Sequence, residues 1–276
     1  MATKVWFITG ASSGIGWAVA LQALQNGDQV IGTSRQLAKL EELSTLYPQQ
    51  FQALPLDVRQ SDQIKATIDL AWKIHGRIDV CFSNAGQALV GPLENTPEAH
   101  IMEMVSVNYL GHLLVIKHFA PYYRQQGYGH IIINSAIAGF DNVAGFSVYG
   151  SAKAALEGLG ESLKAELAPF GIHVSLLYLG PTRTAFIENN LTKVGTDHEA
   201  YARTVGRFAR VLDNINGKQP GDPLKVADAI YHIAHLEQPP FRLFFGPYAY
   251  QHARQKIAFL QQELDQWESL GKPTDY

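Results

Sequence analysis

The chain alternates short, almost entirely apolar segments with longer segments in which apolar residues recur every three or four positions. The short segments have the composition of strands covered on both faces of a parallel sheet, and the longer ones have the period of helices. The predicted strands are 5–9, 29–33, 51–56, 79–83, 130–134, 173–178 and 242–245. The predicted helices are 15–26, 37–47, 61–75, 97–126, 148–170 and 223–235.

This alternation predicts right-handed βαβ units and an α/β fold, a Rossmann-like doubly wound parallel sheet of about seven strands with helices on both faces. We expect a single domain over residues 1–276, because one core can reach this size. Residues 184–221 mix polar and aromatic residues without a clear strand, and we expect a substrate-covering lid there. Residues 248–270 are predicted to form a C-terminal amphipathic helix.

Composition and charge narrow the possible partners. A formal net charge of −3 provides no basic surplus for nucleic acid or an anionic membrane. The longest uninterrupted apolar stretches are far shorter than a membrane span, and the first of them, from Val5, has the pattern of a strand and not of a signal peptide. The single cysteine, Cys81, is expected to be a core residue. We therefore expect a cytoplasmic protein that binds neither nucleic acid nor membrane.

A glycine-rich turn, Thr9-Gly10-Ala11-Ser12-Ser13-Gly14-Ile15-Gly16, joins the first predicted strand to the first predicted helix. Small residues let a backbone approach a pyrophosphate, and a helix N-terminus supplies N–H groups and the positive end of its dipole. A tight turn without a ligand is the alternative, which the strand-to-helix context disfavours. The residues predicted to bind the cofactor here are Gly10, Ser12, Ser13, Gly14, Ile15 and Gly16.

The end of the second strand predicts which nicotinamide cofactor binds. A carboxylate at this point would accept a hydrogen bond from a ribose 2′-hydroxyl and repel a 2′-phosphate. After this strand, however, the first acidic residue is Glu41. Ser34 offers a hydroxyl, and Arg35 can pair with a phosphate and stack on adenine. The sequence therefore favours NADP(H) over NAD(H), unless Arg35 is only a solvated surface charge.

Tyr149 and Lys153, four residues apart, follow a serine, Ser135, that closes a predicted strand. Hydride transfer to a carbonyl leaves negative charge on oxygen, and a phenol can supply the proton that neutralises it. A lysine one helical turn away lies on the same face and is expected to lower the phenol pKa. Ser135 is predicted to donate a hydrogen bond to the substrate oxygen. Each residue alone has a structural explanation; the combination favours catalysis.

Together these motifs resemble the short-chain dehydrogenase/reductase family over about residues 5–184. The resemblance also rests on Asp57-Val58 after the third strand, Ser83-Asn84-Ala85-Gly86 after the fourth, and Asn108. It implies that Tyr149 is the acid/base, that Lys153 also binds the nicotinamide ribose, and that Asn108 holds a water for proton relay. It further implies that Asp57 and Val58 contact adenine and that Asn84, Ala85 and Gly86 support the cofactor.

One departure from the family pattern follows the sixth predicted strand. Leu179 replaces the common proline, which is expected to make the loop less rigid. Gly180 and Thr184 keep their places, and Gly180, Thr182 and Thr184 are still expected to bind the cofactor. The Thr182 N–H and Thr184 should reach the carboxamide and phosphates.

The sequence thus predicts an NADP(H)-dependent oxidoreductase that transfers hydride between the nicotinamide and a secondary alcohol, ketone or aldehyde. Aromatic residues near the substrate loops suggest an apolar substrate, although a lid core would explain them as well: Phe140, Phe146, Phe186, Tyr201 and Phe208. The resemblance implies a homodimer or homotetramer. Two alternatives remain, a nucleotide-sugar epimerase or dehydratase and a non-catalytic redox sensor on the same fold. No metal site is predicted, because the histidine pair His232 and His235 has no further ligands nearby.

Overall fold

The computed structural model describes residues 3–274. It contains nine strands: β1 (Val5–Thr9), β2 (Gln29–Ser34), β3 (Phe51–Pro55), β4 (Val80–Ser83), β5 (Ala88–Val90), β6 (Gly129–Ala136), β7 (Ile172–Leu179), β8 (Leu191–Lys193) and β9 (Arg242–Phe245). Seven of them form one parallel sheet in the order β3-β2-β1-β4-β6-β7-β9. The predicted fold class is confirmed, and each of the seven predicted strands is present.

Helices cover both faces of this sheet. They are α1 (Gly14–Gln25), α2 (Glu41–Leu46), α3 (Ser61–His75), α4 (Glu98–Val105), α5 (Gly111–Gln126), α6 (Ile137–Phe140), α7 (Ser147–Leu167), α8 (Phe186–Asn189), α9 (Val205–Ile215), α10 (Pro223–Ala234) and α11 (Gly246–Gly271). Successive residues of a strand point to opposite faces, so Phe7 joins the core beneath α3, α5 and α7. Trp6 and Ile8 join the core beneath α1 and α10.

The structure departs from the predicted elements in residues 184–221, the predicted lid, which we continue to call the lid. No strand was expected in residues 184–221, but β8 lies there and pairs in parallel with β5, which the sequence also failed to predict. Each of these strands has three residues, too few to display the alternation by which a strand is recognised. Their pairing fastens the start of the lid to the loop after β4.

The predicted helix 97–126 is one helical stretch interrupted by a π-helical turn at Ser106–Leu110. By length and composition, Glu98–Gln126 could cross a membrane, with a mean hydropathy of 1.3 in its most apolar window. Helices of protein cores pass the same test. Here the stretch packs on α3, α7 and the sheet, and Val115, Ile116 and Phe119 lie in the core. Packing in the core therefore accounts for part of the apolar composition of this stretch.

The carboxyl ends of β1 and β4 mark the point where the strand order changes direction, since β2 continues on one side of β1 and β6 on the far side of β4. In open parallel sheets a crevice forms at such a point, and ligands bind there. The glycine-rich turn, the loop after β4 and the ends of β6 and β7 all reach this edge.

Candidate active site

A cavity of about 580 Å³ opens at the carboxyl edge of the sheet and extends under the lid. It brings together nearly all the residues that the sequence predicts for the site. Those that line it are Gly10, Ser12, Ser13, Gly14, Ile15, Ser34, Arg35, Asp57, Val58, Asn84, Ala85, Gly86, Ser135, Tyr149, Lys153, Gly180, Thr182 and Thr184. Gly16 and Asn108 are not among the lining residues and lie behind the wall.

The glycine-rich turn has the backbone that a close approach requires. Gly10 and Gly14 have φ angles of +66° and +56°, in the left-handed region that residues with a Cβ rarely adopt. Gly16 acts differently, because a Cβ there would collide with the carbonyl oxygen of Gly10 and the side-chain amide of Asn84. It therefore allows α1 to pack closely on the turn, and Ser12 and Ser13 stand at the N-terminus of that helix facing the cavity.

A hydrogen-bonded network joins the ends of three strands below the cavity. Thr9 Oγ1 accepts from the backbone N–H groups of Asn84, at 2.8 Å, and Ala85, at 3.0 Å. The Asn84 amide donates to the carbonyl oxygen of Thr9 at 2.9 Å and accepts from Asn134 Nδ2 at 2.8 Å. Asn134 was missed from the sequence, where the only signal was its place beside Ser135.

The predicted catalytic residues on β6 and α7 meet at the cavity wall. Lys153 Nζ donates to the carbonyl oxygen of Asn134 at 2.7 Å, and Ser135 Oγ donates to the carbonyl oxygen of Lys153 at 3.2 Å. Tyr149 and Lys153 are both buried, with 8% and 4% of their surface exposed. The four-residue spacing thus places a phenol and an amine on the helix face that covers the end of β6.

Burial dominates the ionisation of this pair. It raises the pKa of the Tyr149 phenol well above its ordinary value and lowers the pKa of Lys153 to about 7. The expected lowering of the phenol pKa by the lysine is therefore wrong for this site, because desolvation penalises the charged form of each group. A phenol that stays protonated is a proton donor, which is the role that carbonyl reduction requires.

Asn108 lies in the π-helical turn, a type of irregularity that often occurs at functional sites. Its Nδ2 donates to the carbonyl oxygen of Gln87 at 2.8 Å, and its Oδ1 accepts from the Gln87 N–H at 3.1 Å. A Cβ on Gly86 would come within 3.1 Å of that oxygen and 3.6 Å of Lys153 Nζ. Asn108 thus fixes the cavity wall beside Lys153. Gln87 lines the cavity and was missed.

Ser83, the last residue of β4, has a buried polar partner. Ser83 Oγ lies 2.7 Å from His112 Nδ1, and both side chains are buried. Burial, and then the charge of nearby Lys153, hold the pKa of His112 well below its ordinary value. A neutral histidine beneath the site therefore gives the Ser83 hydroxyl a hydrogen-bond partner.

The end of the cavity that is predicted to hold adenine carries both predicted charges, Arg35 and Asp57. Arg35 is exposed and lines the cavity beside Ser34. Asp57 accepts from Arg59 Nε at 3.0 Å and from Arg59 Nη2 at 2.6 Å, and this partner holds the pKa of Asp57 below its usual value. The carboxylate predicted to contact adenine is therefore shared with Arg59.

The loop after β7 is held by backbone contacts in place of the missing proline. Gly180 N donates to the carbonyl oxygen of Phe245 at 3.3 Å, and Gly221 N donates to that of Pro181 at 3.1 Å. Arg183 N donates in turn to Gly221 at 2.8 Å. The loop is therefore tied both to the end of the lid and to the start of α11.

The substrate side of the cavity is mainly apolar. Of the aromatic residues predicted there, Phe146, Phe186 and Phe208 line the cavity, whereas Phe140 and Tyr201 are not among its lining residues. The ring of Phe146 lies 4.8 Å from the rings of both Tyr149 and Phe208. One side chain therefore links the candidate proton donor to the lid.

A polar group at this side was not predicted. Asp141 and Tyr248 line the cavity, and Asp141 Oδ2 lies 2.7 Å from His252 Nδ1. The rings of Tyr248 and His252 lie 4.2 Å apart. Burial, together with the charge of Asp141, raises the pKa of Tyr248. The sequence gave no signal for this contact, since Asp141 and α11 are more than 100 residues apart.

Of the two histidines, His232 lies on α10 and His235 directly follows its last residue. His235 Nδ1 lies 2.8 Å from the carbonyl oxygen of Tyr231, and its ring lies 4.2 Å from the Tyr231 ring. Within residues 3–274, no group of three or more histidine, cysteine, aspartate or glutamate side chains is placed to hold a metal ion.

Comparison with known proteins shows which family the chain belongs to. The short chain dehydrogenase profile matches residues 4–195, which is more than half of the chain. The chain belongs to that family. It is 35% identical to oxidoreductase BOA17 of Botryotinia fuckeliana, with 98% of each chain covered. It is 32% identical to 17-beta-hydroxysteroid dehydrogenase type 1 of Homo sapiens, with 88% of this chain and 78% of that protein covered.

Solved structures of the family share the fold. A short-chain dehydrogenase from Streptomyces avermitilis is 36% identical with a TM-score of 0.93, and each chain is covered completely. ElxO with NADP bound is 28% identical with a TM-score of 0.74, covering 88% of this chain and 97% of that one. A Burkholderia phymatum family member in complex with NAD is 22% identical with a TM-score of 0.82, covering 95% of each chain. Family membership supports an oxidoreductase that uses a nicotinamide cofactor.

Proposed function

We propose that the protein is an NADP(H)-dependent oxidoreductase that interconverts a secondary alcohol and a ketone, or reduces an aldehyde, on an apolar substrate. One observation carries the proposal: Ser135, Tyr149 and Lys153 line the same cavity as the glycine-rich turn. This shared cavity supports the proposal, because hydride transfer at an oxygen-bearing carbon requires a proton-transfer group close to the bound dinucleotide.

The residues at the adenine end fit a phosphorylated dinucleotide. The left-handed backbone at Gly10 and Gly14 leaves room for a pyrophosphate at the N-terminus of α1, where the helix dipole favours an anion. Arg35 and Ser34 would hold a 2′-phosphate, and Arg35 offers a charge-assisted contact that a free ribose hydroxyl would not use fully. When bound, the cofactor supplies or accepts the hydride. The NADP-bound relative ElxO is consistent with this preference.

The chain's own residues would handle the oxygen and its proton. Ser135 Oγ, which donates to the Lys153 carbonyl, can turn to donate to a substrate oxygen and stabilise its developing charge. Tyr149 would give up its proton to that oxygen, and its raised pKa keeps the proton on the phenol until then. Lys153, with a pKa of about 7, can bind or release a proton near neutrality and would return a proton to the tyrosine.

The lid side of the cavity supports an apolar substrate of some length. Val143, Phe146, Phe208 and Leu212 would cover its carbon skeleton. The relative that acts on hydroxysteroids is consistent with such a substrate. Asp141 and Tyr248 would then meet a hydroxyl at the end remote from the reacting carbon.

The test is NADPH consumption with a panel of apolar ketones and aldehydes of increasing size, using Tyr149→Phe and the exposed Tyr128→Phe as a matched control. We expect wild type and Tyr128→Phe to turn over, and Tyr149→Phe to be slower by about 100- to 10,000-fold. NADPH binding, followed by cofactor fluorescence, should be equal in all three. Binding without turnover of any substrate would support the non-catalytic sensor instead.

A further inference from the structure

The far half of α11 leaves the body of the protein. Its first turns are anchored where Ala249 and Ala253 are buried, but every described residue from Ile257 to Thr274 is exposed. The fifteen residues 257–271 extend for about 22 Å at 1.5 Å per residue. An isolated helix of this length is marginal in water, so packing against something else would stabilise it.

Large apolar side chains form a regular stripe on this half of the helix. Ile257, Leu260, Leu264 and Trp267 are three, four and three residues apart and are 56%, 47%, 65% and 57% exposed. This spacing is the heptad pattern of a coiled-coil seam. The opposite face is polar at Gln255, Gln262 and Ser269, although the exposed Phe259 lies next to it, and the exposed Leu270 lies beside the stripe. We call the four apolar residues the C-terminal seam.

Charge decides which kind of surface the seam fits. Between Ile257 and Gly271 the charged residues are Glu263, Asp265 and Glu268, all acidic. Helices that lie on membranes carry lysine and arginine on their polar face, because many lipid headgroups are anionic. The acidic residues therefore disfavour a membrane surface, whereas the heptad spacing of the seam fits another helix.

We propose that the C-terminal seam pairs with the same seam of a second copy of this chain, as an antiparallel two-helix coiled coil. A parallel pair would place Glu263 beside Glu268 of the other copy twice, and these contacts repel. An antiparallel pair centred between Leu260 and Leu264 sets Ile257 against Trp267 and Leu260 against Leu264 of the other copy. This arrangement also places Arg254 of each copy beside Glu268 of the other, which gives two attractive contacts. It brings the two copies of Glu263 together, which gives one repulsive contact.

This contact does not involve the residues of the candidate active site and is independent of the proposed activity. The heptad lies outside the residues that the family profile matches, 4–195. The anchored end of α11 holds Tyr248 and His252 beside the cavity, so pairing of the seam would also restrain this end of the helix.

The first test is the mass of the full chain in solution, by sedimentation velocity at micromolar concentration. Leu260→Glu with Leu264→Glu should halve the mass of the assembly, whereas Gln262→Glu with Ser269→Glu adds the same charge on the polar face and should leave it unchanged. The melting temperature should be equal in both, because these side chains are exposed. An unchanged mass in the seam variant would overturn the proposal. The proposal would also be overturned if the wild-type protein did not pair through the seam in solution but floated with phosphatidylcholine/phosphatidylserine vesicles.

The second test concerns orientation. Arg254→Glu alone should weaken the pairing about tenfold by replacing two attractive contacts with repulsive ones. Adding Glu268→Arg should restore it, because the exchange recreates both contacts. If Arg254→Glu has no effect while Glu268→Arg alone strengthens the assembly, the helices are parallel and the antiparallel arrangement is wrong.

Discussion

The Lys153 ammonium donates to the backbone carbonyl of Asn134 at 2.7 Å, and the side chain of Asn134 donates to Asn84 at 2.8 Å. Asn84 is in turn bonded to Thr9 at the end of β1. The Lys153 amine on α7 is therefore positioned by the same network that shapes the glycine-rich turn. A small displacement of the turn would be transmitted to the amine, and a displacement of the amine to the turn.

The pH dependence of reduction should report Lys153. Burial lowers its pKa to about 7, so the cation is present below that pH and is lost as the pH rises through it. If the cation assists proton delivery by Tyr149, kcat/KM for ketone reduction should fall above about pH 7, since this parameter reports the free enzyme. Lys153→Arg, which keeps its charge, should retain only residual activity but lack that inflection. A flat wild-type profile between pH 6 and 8.5 would contradict this role.

Much of this site could be predicted from sequence because its parts are local. The apolar segments fixed the positions of the seven strands of the main sheet, and the ends of parallel strands meet at one edge, so Ser135 and Asn84 had to lie near the glycine-rich turn. The four-residue spacing placed Tyr149 and Lys153 on one helix face in the same way.

What could not be predicted depends on contacts between distant segments or on burial. The pKa of Tyr149 rises because the lid and sheet remove it from water, which no residue spacing reveals. Asp141 meets His252 only after α11 folds back over α6. The strands β5 and β8 are too short to have a pattern and exist because they pair with each other.

Cofactor choice should depend on Arg35. Arg35→Glu would replace attraction for a 2′-phosphate with repulsion, and charge-assisted hydrogen bonds contribute about 1.5–3 kcal/mol. We expect Kd for NADPH to rise by about 10- to 100-fold with little change for NADH, measured by cofactor fluorescence. Lys39→Glu makes the same charge change at a nearby residue that is absent from the cavity wall, and it should affect NADPH little. Equal effects of both variants would mean that Arg35 acts only through long-range charge.

Phe146 should couple the lid to the proton donor. Its ring packs on Tyr149 and Phe208, and aromatic pairs contribute about 0.5–1.5 kcal/mol beyond the area they bury. Phe146→Ala should raise KM for bulky apolar substrates about tenfold and lower kcat, while Kd for NADPH stays unchanged. Phe146→Leu keeps an apolar contact, so its KM and kcat in steady-state assays should lie between those of wild type and Phe146→Ala. A loss of NADPH affinity in Phe146→Ala would instead indicate general disruption of the cavity.

Stability should fall as the pH drops below about 6.5, because two histidines are buried in the neutral form. Burial lowers the pKa of His130 to about 3, and that of His112 is also far below its ordinary value. In the unfolded chain both bind a proton near pH 6.5, so the unfolded state gains protons first as the pH decreases. Each such group removes up to about 1.4 kcal/mol of unfolding free energy per pH unit between its two pKa values.

Urea unfolding at pH 7.5, 6, 5 and 4 measures this slope. His130 lies 2.8 Å from Ser175 through Nε2, so His130→Gln keeps a polar partner for that hydroxyl but cannot titrate. The variant should be less stable than wild type at pH 7.5 but should lose stability less steeply below pH 6.5. The slope of its unfolding free energy against pH should be smaller by the equivalent of about one bound proton. Substitution of an exposed histidine, His198→Gln, should leave the slope unchanged. Parallel slopes for wild type and His130→Gln would show that His130 is protonated in the folded protein and that its burial is relieved on acidification.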